Sequence, residues 1–317
     1  MDRMPFLTAS VSRTRPAGTY SIVAYDATAG QIGVAVQSHW FAVGASIAWA
    51  EAGIGAVATQ SFIEPSYGPS GLNLMRGGRS ASEALAALVA QDAMREVRQV
   101  AMIDAKGHVA AHTGQLCVPE AGQIVGTNYS VQANMMASAK IWPLMEQTFA
   151  RSGGDLAERL LLTLEAAEAA GGDIRGRQSA ALLVVRSQAT GLYSSDRLFD
   201  LRVDDHPQPL TELRRLVGLA RAYAHMNHGD DLYAQGQFAE AGQAYQQASQ
   251  KMPDVMEPRF WQAVALIADG AREEARPILA RVFSLEPQWR QLLLRLPAAG
   301  LLPSDPALIE DLVAIKS

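Results

Sequence analysis

From Thr19 onward the chain alternates short apolar runs with turns. In "TYSIVAY", Tyr20, Ile22 and Ala24 alternate with Thr19, Ser21 and Val23, the period of two that a strand imposes on its side chains. The turn "DATAG" follows, then "QIGVAVQS", "ASIAWA", the turn "EAGIG" and "AVATQS". Val, Ile and Ala fill both parities of these strands, which predicts sheet covered on both faces. Helical periodicity takes over in "PSGLNLMRGG" and "SASEALAALVAQD". In the latter Ser80 is the expected N-cap, Glu83 closes a capping box, and Leu85, Leu88 and Val89 share a face. Strands return in "EVRQVAMID" and "HVAAHTG" around the turn "AKG", and in "YSVQAN" after a glycine-rich loop. Two further helices are expected over residues 135–151 and 155–170, and the strands "SAALLVV" and "LFDLRV" complete the region. The order of four strands, two helices, strands, two helices and two strands predicts an α+β fold, a two-sheet αββα sandwich with helices outside.

The pattern changes after "DDHPQPL", residues 204–210. Beyond this polar, proline-containing stretch the periodicity is helical and repeats: Gly236, Ala241 and Pro253 are matched at an offset of 34 residues by Gly270, Ala275 and Pro287. Small residues where paired helices meet, with a Pro ending the second helix, resemble the tetratricopeptide repeat. Two copies need support from the helix at about 210–226, the helix after Pro287 or the first domain, and such a module is suited to a protein partner or to self-association. "YAHMNHGDD" clusters His225, His228, Asp230 and Asp231, and is read as a loop and helix start with acidic charge at its N-terminal end. The expected organisation is a leader over 1–18, an αββα domain over 19–204, a linker over 205–210, and an all-α tetratricopeptide-like domain over 211–317.

Composition narrows the partners. A formal charge of −5 with scattered Lys and Arg provides no basic field for nucleic acid. The single Cys117 excludes an internal disulfide framework and a cysteine-based zinc site. No apolar run approaches the roughly 20 residues that span a bilayer, and the leader carries Arg without an apolar segment. The expectation is a soluble, cytoplasmic protein that uses neither metal nor cofactor.

The candidate chemistry sits at "PAGTYS". A threonine hydroxyl is a weak nucleophile that needs a base within reach, and its own α-amine, with pKa near ~8, serves when the residue is a chain terminus. Thr19 reaches that state only if the bond after Gly18 is cut, and a Gly before the nucleophile permits the necessary backbone twist. No Met directly precedes Thr19.

The run from Thr19 to Ser61, with "EPSYGPSGL", "HTGQLC", "YSVQANMM" and "GGDIRGRQSAALLVV", resembles the family called domain of unknown function 1028, over residues 19–204. The resemblance implies an N-terminal-nucleophile hydrolase fold with Thr19 as nucleophile, exposed by autoprocessing. It further implies hydrolysis of a small amide or peptide-like substrate. Related hydrolases use an Asn amide at the oxyanion, a role that falls here on Asn134, and one such donor is typically worth ~3 kcal/mol of barrier. The lysine that supports the nucleophile in proteasome subunits has no counterpart, because residues 19–105 contain none.

Polar residues at strand ends complete the candidate set. Ser38 is a catalytic partner of Thr19, while His39, Thr59, Gln60, Ser61 and the loop residue Tyr67 are candidates for substrate contact. Asp173, Arg175 and Arg177 lie in a glycine-loosened loop, where an Arg fork, Arg177 above all, would clamp a substrate carboxylate. Competing readings make Asn134 the N-cap of the following helix and pair the two arginines with Asp173. Cys117 with His108 and His112 is a further nucleophile or metal candidate, although the histidines read more simply as a half-buried polar face. The rival to a hydrolase is an inactive binding or scaffold protein acting through its repeats.

Overall fold

β1 (Thr19–Asp26) is buried over its first six residues, and its two faces serve different layers. In the computed structural model, which describes residues 15–316, Tyr20, Ile22 and Ala24 pack toward helices while Val23 packs toward a second sheet. The first 14 residues of the expected leader lie outside the described residues. β1 pairs antiparallel with β2 (Gln31–Ser38), placing Thr19 opposite Ser38. On its other side it pairs antiparallel with β8 (Tyr129–Asn134), placing Thr19 opposite Asn134.

These strands belong to a six-stranded sheet completed by β7 (Gly122–Gly126), β9 (Ser179–Arg186) and β10 (Arg197–Val203), in the order β10-β9-β2-β1-β8-β7. A four-stranded sheet holds β3 (Ala48–Glu51), β4 (Gly55–Ser61), β5 (Arg98–Asp104) and β6 (Val109–Thr113) in sequence order. The pairings in both sheets are antiparallel. α1 (Tyr67–Arg76) and α2 (Ala81–Gln91) bury Tyr67, Leu72, Met75 and Leu85 against Val57, Val100 and Met102 of the smaller sheet. α3 (Ile141–Arg151) and α4 (Leu156–Ala169) bury Ile141, Met145, Phe149, Leu160 and Leu164 against the helix-facing side of β1 and its neighbours. Ser80 and Glu83 form the expected capping box. Between the sheets lies an apolar layer of Val23, Ile32, Val34, Ala56 and Ile103. The same layer turns polar toward the Thr19 end.

Three local expectations change. The glycine-rich stretch before "YSVQAN" contains β7, whose short edge pairing with β8 holds two glycines in extended backbone. The helix expected from residue 135 starts at Ile141, because Met135 adopts a left-handed φ of 59° and Met136 bridges to Asp173 instead. Asn134 therefore ends a strand and Lys140 occupies the N-cap position. A short helix, α5 (Tyr193–Asp196), also precedes β10; the Asp196 carboxyl accepts N–H groups from Thr190 and Gly191.

Asp104 ties β5 to the start of α2. Its carboxylate accepts the N–H groups of Ala81 (3.1 Å), Lys106 (2.9 Å) and His108 (3.0 Å), and lies 2.9 Å from His108 Nδ1. Burial pushes this carboxyl up, but the four donors outweigh burial and hold it below the usual range. A depressed folded pKa stabilises the fold above the unfolded value of ~3.9 and loses that contribution as pH falls through the folded value. Asp104→Asn is therefore expected to cost about 2 kcal/mol at pH 7 in urea unfolding, from the lost charge-assisted hydrogen bonds. The gap from wild type should narrow progressively below about pH 4; a gap that is constant with pH excludes this assignment.

A second compact unit begins at Gly218. α6 (Pro209–Ala234) runs unbroken through "YAHMNHGDD", so this stretch is helical rather than a loop, and the stretch expected as a linker ends inside the helix's first turn. Gly229 explains why the helix tolerates a glycine: an added Cβ would stand 2.6 Å from the Tyr245 ring on α7 (Phe238–Lys251). The Tyr245 hydroxyl donates to Asp230 at 2.8 Å, which gives one acid of the cluster a packing role. Gly236 and Gly270, the repeat-equivalent glycines, both have left-handed φ, 76° and 90°. They turn the chain from α6 into α7 and from α8 (Glu257–Ala268) into α9 (Arg272–Leu285). Ala241 and Ala275, the matched small residues, are fully buried, and α10 (Trp289–Leu293) and α11 (Pro306–Val313) add Leu293, Leu308 and Leu312 to the core.

Candidate functional site

Thr19 is fully buried at the polar end of the inter-sheet layer. Its Oγ1 lies 3.1 Å from Ser38 Oγ and 3.1 Å from the Ala17 carbonyl oxygen. Antiparallel register puts Ser38 there, since Thr19 and Ser38 are direct cross-strand partners. Ser38 Oγ in turn donates to the Gly18 carbonyl oxygen at 2.5 Å, and Arg175 Nη2 donates to the same oxygen at 3.1 Å. The hydroxyl of Thr19 and two donors thus gather around the peptide group that precedes it.

Asp173 aims the arginine. It is almost fully buried, and its two oxygens accept Arg175 Nε at 3.0 Å and Nη2 at 2.7 Å, a bidentate fork. The Arg175 and His39 backbone N–H groups supply further bonds to the same carboxylate, at 3.0 and 3.2 Å. Gly18 is pressed against this pair: a Cβ there would stand 2.8 Å from Asp173 Oδ2 and 2.9 Å from Arg175 Nη2.

Beneath Thr19 runs a buried amide network. Gln60 Nε2 donates to the Thr19 carbonyl at 3.2 Å and to Gln99 Oε1 at 2.7 Å, while Ser21 Oγ donates to Gln60 Oε1 at 2.6 Å. Gln132 Nε2 reaches Ser21 Oγ at 2.6 Å. Asn134 Nδ2 donates to Gln99 Oε1 at 3.0 Å and reaches the Thr19 carbonyl at 3.5 Å; its Oδ1 is buried without a hydrogen-bond partner. The Asn134 amide donor therefore belongs to this network rather than to the Gly18 carbonyl, which is met by Ser38 and Arg175.

The other candidates divide. Ser61 accepts the Ala17 N–H on its carbonyl at 2.8 Å and so holds the residue before Gly18. His39 flanks a cavity of about 700 Å³ beside Arg175, also lined by Arg15, Trp40, Phe41 and Gln178. Thr59 turns away, its Oγ1 donating to the Glu64 carbonyl at 3.2 Å. The Tyr67 hydroxyl donates to Asp92 at 3.1 Å in a separate cavity, next to Glu64 and Leu88. Arg177 is committed elsewhere, to Glu168 at 2.8 Å and the Pro207 carbonyl at 3.0 Å, and Glu168 also accepts the buried Tyr20 hydroxyl at 2.6 Å. Burial, and next the Glu168 carboxylate, raise the Tyr20 phenol well above its ordinary pKa.

The thiol and histidine candidates are each engaged in a local hydrogen bond away from Thr19. Burial pushes the Cys117 thiol up, and it donates to the Arg98 carbonyl at 3.3 Å. His108 pairs with Asp104, and His112 Nε2 lies 2.8 Å from the Arg95 carbonyl. Arg15, in the expected leader, has no local sequence signal of its contact: its guanidinium stacks 5.1 Å above the Trp40 ring. Among the described residues no helix is long and apolar enough to cross a membrane.

Fold and site define a mixed α/β protein with two antiparallel sheets and a buried polar cluster at one end of their interface, followed in sequence by an all-helical repeat region. The chain belongs to the family of unknown function DUF1028, whose model matches residues 19–213. A tetratricopeptide repeat model matches residues 232–296. The chain is similar to the DUF1028-family protein SPO2555 from Silicibacter pomeroyi, known from a crystal structure. The identity is 30%, with 63% of this chain and 84% of that chain covered and a TM-score of 0.58. No curated protein matches.

Proposed function

We propose that the first unit is a self-processing amidohydrolase of the N-terminal-nucleophile type, in which Thr19 first opens its own Gly18–Thr19 bond and then acts on a small amide. The observation that carries this reading is the double hydrogen bond to the Gly18 carbonyl, from Ser38 Oγ and Arg175 Nη2, beside the Thr19 hydroxyl. Thr19 Oγ1 adds to the Gly18 carbonyl carbon, and the oxygen that gains charge is already met by two donors, one of them cationic. The C–N bond then breaks as the Thr19 nitrogen takes up the hydroxyl proton, leaving an ester and a free amine. Water cleaves the ester, releasing the Gly18 carboxylate and restoring the hydroxyl. The new α-amine is the base for later substrates, a role that needs no lysine. The unpartnered Asn134 Oδ1, on the residue opposite Thr19 in register, is an acceptor available to that amine.

A scaffold reading is favoured by one observation: Ala17 is bridged to Ser61 and fully buried, so the leader end is packed as a fold element. Intact-mass measurement separates the two. Wild-type protein is expected to yield a species beginning at Thr19, and Thr19→Ala to remain joined through residue 18. Wild-type protein that stays joined through days of incubation favours the scaffold.

A further inference from the structure

The leader end is seated as a ligand would be. Ala17 forms an antiparallel bridge with Ser61, its N–H donating to the Ser61 carbonyl at 2.8 Å. Arg175 reaches two carbonyls at once, Pro16 O from Nη1 at 3.3 Å and Gly18 O from Nη2 at 3.1 Å. Alternate residues of an extended chain point the same way, which is why one guanidinium, fixed behind by Asp173, reads both. The Asp173 carboxylate neutralises that guanidinium, so its outer edge suits peptide carbonyls more than a free anion. Ala17 is wholly enclosed, which sets a small side chain at that position. At position 18 even a Cβ meets Asp173 and Arg175 below 3.0 Å.

Resting on the hydrolase reading above, we propose that this seat becomes the acyl-side recognition site of the processed protein. Its substrates are peptide amides of the form acyl-Pro-Ala-Gly-NHR, or close analogues with a small residue before glycine. The leader is then a covalently attached first substrate. Arg175 and the Ser61 carbonyl hold the acyl chain, and the missing glycine Cβ is the specificity determinant. The cavity beyond, bordered by Trp40 and Phe41, admits the group that precedes the proline. In each turnover Thr19 Oγ bonds to the glycyl carbonyl carbon and the glycyl C–N bond breaks. The α-amine passes the hydroxyl proton to the departing amine, and water releases the acylglycine as a carboxylic acid.

Full-length protein, incubated until processing is complete and dialysed to remove the released leader, is titrated calorimetrically with N-acetyl-Pro-Ala-Gly and with N-acetyl-Pro-Ala-Ala. It is then assayed on the two corresponding p-nitroanilides. The expected result is binding and hydrolysis of the glycine compounds with at least a tenfold preference over the alanine ones. A species that begins at Thr19 but shows no such preference, or binds neither peptide, overturns the recognition site and leaves the processing reading standing. A chain still joined at Gly18–Thr19 overturns both.

Discussion

Gly18→Val is expected to leave the leader attached in nearly all of the protein while wild-type chains lose it. The valine Cβ would fall 2.8 Å from Asp173 Oδ2, 2.9 Å from Arg175 Nη2 and 3.0 Å from Asp173 Cγ, and its two methyl groups add bulk to the same place. Asp173 cannot yield readily: it is buried, forked on Arg175, and bonded to two backbone N–H groups. The backbone at position 18 moves instead, and the carbonyl leaves Ser38 Oγ and Arg175 Nη2. Losing one preorganised donor typically slows acyl chemistry by about a hundred- to a thousandfold, so losing both should stop cleavage over the life of a preparation. Intact mass at timed intervals after purification measures it. Cleavage of Gly18→Val within tenfold of the wild-type rate would show that neither donor matters.

The largest stability effect is expected at Gln99. This fully buried side chain donates to Thr113 Oγ1 (2.9 Å), the Gly122 carbonyl (3.2 Å) and the Ala133 carbonyl (2.9 Å), and accepts from Gln60 (2.7 Å) and Asn134 (3.0 Å). Gln99→Leu keeps the volume roughly constant and strands several partners at once. An unsatisfied buried polar group costs about 1–3 kcal/mol, and some partners will re-pair, so a total loss of about 4 kcal/mol is expected in urea unfolding. Gln60→Met alone should also destabilise. The double variant should fall short of the sum by at least about 1 kcal/mol, because the two share a bond. Additive losses, or a Gln99→Leu cost below about 1 kcal/mol, argue against a connected network.

The sequence showed most of the layer order and little of the site's wiring. Strand β1 was legible because its period of two separates Tyr20, Ile22 and Ala24 from Thr19, Ser21 and Val23, and those two sets do face different layers. The helical repeat was legible through Gly236 and Gly270, where a backbone conformation demands a residue type. β7 was not, because two glycines in five residues read as loop and only pairing with β8 makes it a strand. Nor was the continuous α6, in which Gly229 looks like a break until Tyr245 is packed on it. At the site, cross-strand partners such as Ser38 follow from strand order. The choice of Arg175 over Arg177 does not: the two differ only in which acid, Asp173 or Glu168, lies within reach after folding. Gln99 and Gln132 are not legible at all, since a glutamine in an apolar strand has no local signature of the partners it will meet.

The bond between Gly18 and Arg175 joins positions 157 residues apart. Asn134, the cross-strand partner of Thr19, is separated from it by 115 residues. A ribosome must therefore deliver residue 134 before that pairing can form, and residue 175, past the middle of the 317-residue chain, before the peptide group ahead of Thr19 meets its arginine. Closing loops of this length places the site among the late contacts to form. The cleavage proposed at Gly18–Thr19 is therefore expected only after β8 and the Asp173 loop have docked around that peptide group.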